Sequence, residues 1–152
     1  MKKEAPIKIL LAEDNSGDVF LVRRALQKHR IEFELHLVED GEAAMEYFNS
    51  FDTRPDPKDC PDLIMLDLNL PRCSGSEVLE RIRSSHDCRH VPVIILTSSD
   101  SPRDRTKATS LGAVRYFCKP THLAGFMMLG KVVEDVMAGR ASVSPGSTKD
   151  RD

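Results

Sequence analysis

Five short apolar runs, separated by longer stretches of helical period, constrain this chain more than any other feature of it. The runs are residues 7–12, 33–38, 63–66, 93–96 and 114–118. The first, third and fourth are nearly continuous in Ile, Leu, Val and Met. That is the composition of strands covered on both faces by helices. The second, Phe33-Glu34-Leu35-His36-Leu37-Val38, alternates instead, which suits an edge strand with one wetter face. Between the runs, Val19, Val22, Leu26 and His29 share one helical face, and Gly41 opens a stretch carrying Ala44, Met45 and Phe48. A third helix near Gly75 aligns Val78, Leu79 and Ile82. Residues 102–111 form a weakly amphipathic fourth, stopped at Gly112. The fifth places Leu123, Phe126, Met127, Gly130, Val133 and Met137 on one stripe. Five alternations of strand and helix predict right-handed crossovers and a doubly wound, open parallel sheet, one α/β domain over residues 1–138. Residues 50–61, rich in Asp and Pro, are expected to be a surface loop, and the polar residues 139–152 a disordered tail.

Composition removes several function classes. Of 152 residues, 22 are Lys or Arg and 24 Asp or Glu, so the net charge of −2 gives no general attraction to nucleic acid or an anionic membrane. No apolar run approaches the roughly 20 residues of a membrane span. The basic N-terminus meets Glu13 and Asp14 too soon for a signal peptide. Cys60, Cys73, Cys88 and Cys118 form no CxxC pair and match no zinc spacing. A cytoplasmic protein with reduced, incidental thiols is the expectation, Cys118 packing as a small hydrophobe.

In an open parallel sheet, sites form at the carboxyl ends of the strands, near the point where strand order reverses. Here the first strand ends at Glu13-Asp14, the third at Asp67 and the fourth at Thr97-Ser98, and Lys119-Pro120 follows the fifth. Each has a plain alternative: Glu13 to Ser16 as a helix cap, Asp67 as a satisfied structural carboxylate, Thr97 and Ser98 as turn residues, Lys119 as a surface lysine. Those alternatives weaken together, because all four features fall at the same end of successive strands. Clustered carboxylates repel one another, and a small Mg²⁺ ion, which prefers oxygen ligands and keeps several waters, resolves that conflict. A hydroxyl and an ammonium nearby add donors for a phosphoryl oxygen. The chemistry implied is phosphoryl transfer to Asp67.

With those residues in place, the chain resembles the receiver domain of two-component response regulators, over about residues 7–137. The resemblance rests on Glu13-Asp14, the string Asp67 to Pro71 (DLNLP), Gly75, Thr97 with small Ser98, and Lys119-Pro120, Lys119 lying fifty-two residues after Asp67. It implies the flavodoxin-like sheet of order 2-1-3-4-5. It implies that Asp67 is the phosphoacceptor, Asp14 a direct Mg²⁺ ligand, Glu13 the holder of metal-bound water, and the carbonyl of Asn69 a third ligand. Thr97 resembles the switch hydroxyl, Tyr116 the aromatic switch, and Lys119 the phosphate-contacting lysine, with a cis bond expected before Pro120. AEDNSGDVFLVRRAL, LVEDGEAAMEYF and LDLNLP are closest to stand-alone regulators similar to partners of phytochrome kinases. Glu13 stands where Asp is commoner, and Cys73-Ser74-Gly75 where Met-Asp-Gly is usual, so the loop beyond Asp67 is expected to pack and move differently.

The reading that follows is a single-domain response regulator that takes phosphate from a sensor histidine kinase, promotes its own phosphorylation and dephosphorylation, and signals by protein contact. About 15 residues follow the fifth helix, too few for an output module, and the basic clusters near Arg23 and Arg103 have no groove-reading element. A relay carrier feeding a histidine phosphotransfer protein is a second reading. A Mg²⁺-dependent small-molecule phosphatase is a third, weakened because Asn69 occupies the position of the general acid. A degenerate scaffold is a fourth, weakened by Asp67, Thr97 and Lys119. A homodimer is expected through the face of helix four, strand five and helix five, where Met128 and Leu129 are expected to point partly outward.

Overall fold

The computed structural model describes residues 5–53 and 60–141. Its elements run β1 (Ile7–Ala12), α1 (Ser16–Lys28), β2 (Phe33–Val38), α2 (Gly41–Thr53), β3 (Leu63–Leu66), α3 (Gly75–Arg83), β4 (Val93–Thr97), α4 (Pro102–Ser110), β5 (Arg115–Cys118), α5 (Leu123–Met127) and α6 (Leu129–Ala141). The strands form one sheet, all pairings parallel, in the order β2-β1-β3-β4-β5. This is the doubly wound arrangement that the alternating pattern predicts.

The pleat sorts the apolar runs into two cores. Leu10, Ala12, Ile64, Leu66, Val93 and Ile95 face one side, packed with Phe48 of α2, Val78, Leu79 and Ile82 of α3, and Ala108 of α4. Their neighbours Ile9, Leu11, Leu63, Met65, Ile94 and Leu96 face the other, against Val22 and Leu26 of α1 and Phe126, Leu129 and Val133 of α5 and α6. Every residue of β3 and β4 is buried, which is why those runs do not alternate. On β2, Glu34 and His36 are exposed between half-buried Phe33, Leu35 and Leu37, as an edge strand requires.

Four expectations need correction. Residues 50–53 finish α2 instead of opening a loop, because Phe51 continues the buried face of Ala44 and Phe48; residues 54–59 lie outside the described residues. Helix α6 continues to Ala141, three residues past the expected boundary, and residues 142–152 of the expected tail lie outside the described residues. The single fifth helix is two, broken at Met128, whose N–H donates to the Gly125 carbonyl three residues back. That tighter turn changes the face each side chain occupies. Leu129 becomes fully buried, whereas Leu123 is exposed and Met128 remains so. Finally, Cys60 and Cys88 are joined by a disulfide, their Cα atoms 5.7 Å apart, so these two are not incidental thiols.

Two contacts fix the elements nearest the carboxyl edge of the sheet. Gly75 lets α3 start against the strand it follows: a Cβ there would lie 2.3 Å from the Asp67 carbonyl oxygen. Ser74 caps α3 reciprocally with Glu77, so the loop after Asp67 ends at a defined point. On the opposite face, Gly130 lets α6 close on α1, since a Cβ would meet the His29 ring at 2.2 Å.

Candidate functional site

The parallel strands end in register, and their final backbone bonds bring the polar residues together. Glu13 N–H donates to the Val38 carbonyl, Asp67 N–H to the Ala12 carbonyl, and Lys119 N–H to the Thr97 carbonyl. The reversal of strand order lies between β1 and β3, so Glu13 and Asp67 flank it. Asn15 caps α1, its side chain accepting from Asp18 N–H at 2.9 Å, so the helix-cap reading holds for Asn15, while Glu13 and Asp14 lie ahead of the cap at the end of β1.

Lys119 is the hub. Its Nζ lies 2.7 Å from Asp18 Oδ2, 2.8 Å from Glu13 Oε1 and 3.0 Å from Asp67 Oδ2. An ammonium has three N–H groups, and each has a carboxylate beside it. Burial works against the charge on Lys119, but the three carboxylates outweigh it and hold its pKa above the ordinary lysine range. Glu13, fully buried, shows the opposite balance. Burial is the largest influence and pushes its carboxyl up to about 7; Lys119 opposes the rise and the Asp67 charge adds to it. Glu13 Oε2 accepts from Asn15 N–H at 3.1 Å, while buried Oε1 has only the Lys119 contact, an ion pair without hydrogen-bond alignment.

Asp67 is buried, its Oδ1 accepting from Asn69 N–H at 2.9 Å. Glu13, exposed Asp14 and Asp67 each present an oxygen within 4.8 Å of the others. Three hard oxygen donors, one open to solvent and one with an unaligned buried lone pair, fit a small divalent cation. Asn69 sits in the same turn, exposed, its side-chain amide 3.3 Å from Thr97 Oγ1. Thr97 is fully buried at the end of β4, and its hydroxyl also accepts from Ser99 N–H at 3.4 Å. Ser98 is exposed beside it. Tyr116, half-buried on β5, donates from its hydroxyl to the Ser99 carbonyl at 2.9 Å, with the Arg105 guanidinium 4.5 Å from its ring centroid. The phenol is thus tied to the loop that follows Thr97.

The structure brings Glu13, Asp14, Asp67, Asn69, Thr97 and Lys119 to one edge and links Tyr116 to it through Ser99. One expected feature is absent. No peptide bond is cis among the described residues, so the Lys119-Pro120 bond is trans. The trans form is favoured by about 0.5–1 kcal/mol before proline, and with it Lys119 already reaches its three carboxylates. One participant went unread in the sequence. Asp18 stands four residues after Asp14, a spacing that was the available signal, but an acidic residue in a helix's first turn is explained by the helix dipole alone.

A family model described as the response regulator receiver domain matches residues 9–128. Response regulator Rcp1 of Synechocystis sp. is 34% identical over 132 residues, covering 85% of this chain and 87% of that protein. Among solved structures, the phosphorylated cyanobacterial phytochrome response regulator RcpA superimposes with a TM-score of 0.77 at 33% identity, covering 91% of this chain and 98% of that one. The Mn²⁺-bound form of response regulator Rcp1 does so with a TM-score of 0.74 at 33% identity, covering 87% and 94%.

Proposed function

The chain belongs to the response-regulator receiver family, a family of signalling domains, and from that premise we propose that it accepts a phosphoryl group from a sensor histidine kinase on Asp67. The observation that carries this reading is the placement of Asp67: a buried carboxylate 3.0 Å from the Lys119 ammonium, at one corner of an acidic cluster suited to a divalent cation. In the transfer, an Asp67 carboxylate oxygen forms a bond to phosphorus as the phosphorus–nitrogen bond of the kinase's phosphohistidine breaks, and the imidazole leaves. Lys119 holds a positive charge beside Asp67, where it offsets the negative charge of the incoming phosphoryl oxygens. The Thr97 hydroxyl, held between the Asn69 amide and Ser99 N–H, is the switch group, and Tyr116 carries its displacement outward through the Ser99 carbonyl.

Mg²⁺ is the proposed ion, held by Asp14, Asp67 and the Asn69 carbonyl, with Glu13 on its bound water; when bound, it offsets the charge of the carboxylates and the phosphoryl oxygens. Support for a divalent ion comes from the donor set and from the manganese-bound relative. The relatives' names favour a phytochrome-like kinase as the phosphate donor. The domain promotes its own phosphorylation and dephosphorylation, operates in the cytoplasm, signals by protein–protein contact, and forms a homodimer through the face of α4, β5 and α5. No described helix is long and apolar enough to cross a membrane.

Intact-mass measurement after incubation with acetyl phosphate and Mg²⁺ tests the assignment. The wild type gains about 80 Da in a hydroxylamine-labile form, as an acyl phosphate must. Uptake at the wild-type rate by Asp67→Asn overturns it.

A further inference from the structure

Lys119 has a partner that the receiver chemistry described above does not use. Asp18 Oδ2 makes the shortest contact to its ammonium, 2.7 Å. Asp18 projects from the first turn of α1, where its own N–H is fixed by the Asn15 cap, so its position is set by a helix. The other two partners, Glu13 and Asp67, belong to the acidic cluster that fits a divalent cation; Asp18 does not. Carboxylate oxygens that turn to a cation or to its water are lost, in part, to the ammonium. In a cation-loaded site Asp18 is the one carboxylate of the three with no competing demand on it.

We propose that Asp18 is a positioning residue that keeps the Lys119 ammonium over Asp67 when a divalent cation draws on Glu13 and Asp67. The inference rests on the phosphoacceptor reading of Asp67. Without this anchor the ammonium, a point charge on a flexible four-carbon stem, swings toward solvent when the cation binds. With it, one N–H stays on Asp18 and the remaining two are directed at Asp67 and at whatever oxygen joins it. Three donors suffice for both tasks, so the anchor does not compete with the phosphoryl group.

The test uses the full chain, ¹⁵N-labelled on lysine, with saturating Mg²⁺. The wild type is expected to show a slowly exchanging Lys119 ammonium resonance that Asp18→Ala loses and Asp18→Glu recovers in part. The same Asp18→Ala variant is expected to lower the maximal phosphorylation rate by acetyl phosphate about ten-fold, the effect of one charge-assisted hydrogen bond. In a Lys119→Ala background, Asp18→Ala should then change nothing further, because its action runs through the lysine. If Asp18→Ala fails to fold, Asp18→Asn carries the same measurements with the shape retained. An ammonium resonance that survives Asp18 replacement, or an equal slowing with and without Lys119, overturns the inference. If the resonance depends on Asp18 but the wild type takes up no phosphate, it is the phosphoacceptor reading that fails.

Discussion

Glu13 is a carboxyl in a place that disfavours its charge, and this has a direct consequence for cation binding. Its pKa is pushed up to about 7 from an ordinary 4.5, chiefly by burial. A raised acid holds its proton in the folded state at pH values where the unfolded chain has released it. Between 4.5 and about 7 the folded protein therefore binds more protons at this site, and the contribution of Glu13 to stability falls as pH rises through that window. A cation needs the ionised form, so the proton and the cation compete. Divalent affinity is expected to rise about ten-fold from pH 6 to pH 8 and to level off above that. Manganese binding followed by electron paramagnetic resonance measures it, and Glu13→Gln is expected to bind more weakly with a flatter profile. A profile equally steep in both proteins would remove Glu13 from the cation site. At this scale the sequence was legible where a residue had a positional signature, as for Glu13, Asp67 and Lys119. Asp18 was not legible, because only the reach of the Lys119 side chain, after β5, to the first turn of α1 tells a lysine partner from an ordinary first-turn acid.

The elements α4, β5 and α5 carry the proposed dimer face, and here the structure changes which residues can test it. A helical stripe drawn straight through residues 123–137 puts Leu123 inside and Leu129 partly outside. The break at Met128 reverses both: Leu129 is fully buried and Leu123 is 61% exposed. The break was not legible because residues 123–137 contain no proline, and Gly125 and Gly130 lie on either side of it rather than at it. The weak amphipathicity of α4 in the sequence matches its packing, since only Ala108 of that helix is buried. Val114, Leu123 and Met128 are exposed apolar side chains next to β5 or on the α5 segment. Burying them against a second copy would stabilise a dimer, and a charge at one of them would oppose it. Met128→Glu is the informative variant; Leu129→Glu would instead bury a carboxylate and unfold the chain. Sedimentation well above micromolar concentration, with and without a phosphate analogue, is expected to give a dimer for the wild type and a monomer for Met128→Glu. A wild-type monomer in both conditions would remove the dimer from the proposal.

For the whole molecule, strand order and the two-sided core were legible because burial on both faces writes itself into the composition of β3 and β4, and half-burial into the alternation of β2. The Cys60–Cys88 bond was not. Four cysteines allow three pairings when fully bonded, and nothing in the spacing prefers one or favours bonding over free thiols. The fold decides it by carrying Cys60, just before β3, to fully buried Cys88 beyond α3, while Cys73 and Cys118 stay free. The bond ties two connections at the end of the sheet opposite the site, across 28 residues of chain that include Asp67 and α3. A link of that span removes freedom from the unfolded chain worth roughly 3–4 kcal/mol in the chain-entropy description. That is a large fraction of the stability of a domain this size. Thiol titration of the unfolded, unreduced protein is expected to find two free thiols, from Cys73 and Cys118. With reductant, the unfolding free energy from urea titration is expected to fall by about that amount and the midpoint to drop accordingly, and Cys60→Ser is expected to reproduce the loss without reductant. Because the site is bonded through the ends of β1, β3, β4 and β5, at the other pole of the sheet, phosphate uptake by Asp67 should survive reduction below the unfolding temperature. Four free thiols in the unreduced protein, or an unchanged urea midpoint on reduction, would show that the two sulfurs lie close without being bonded.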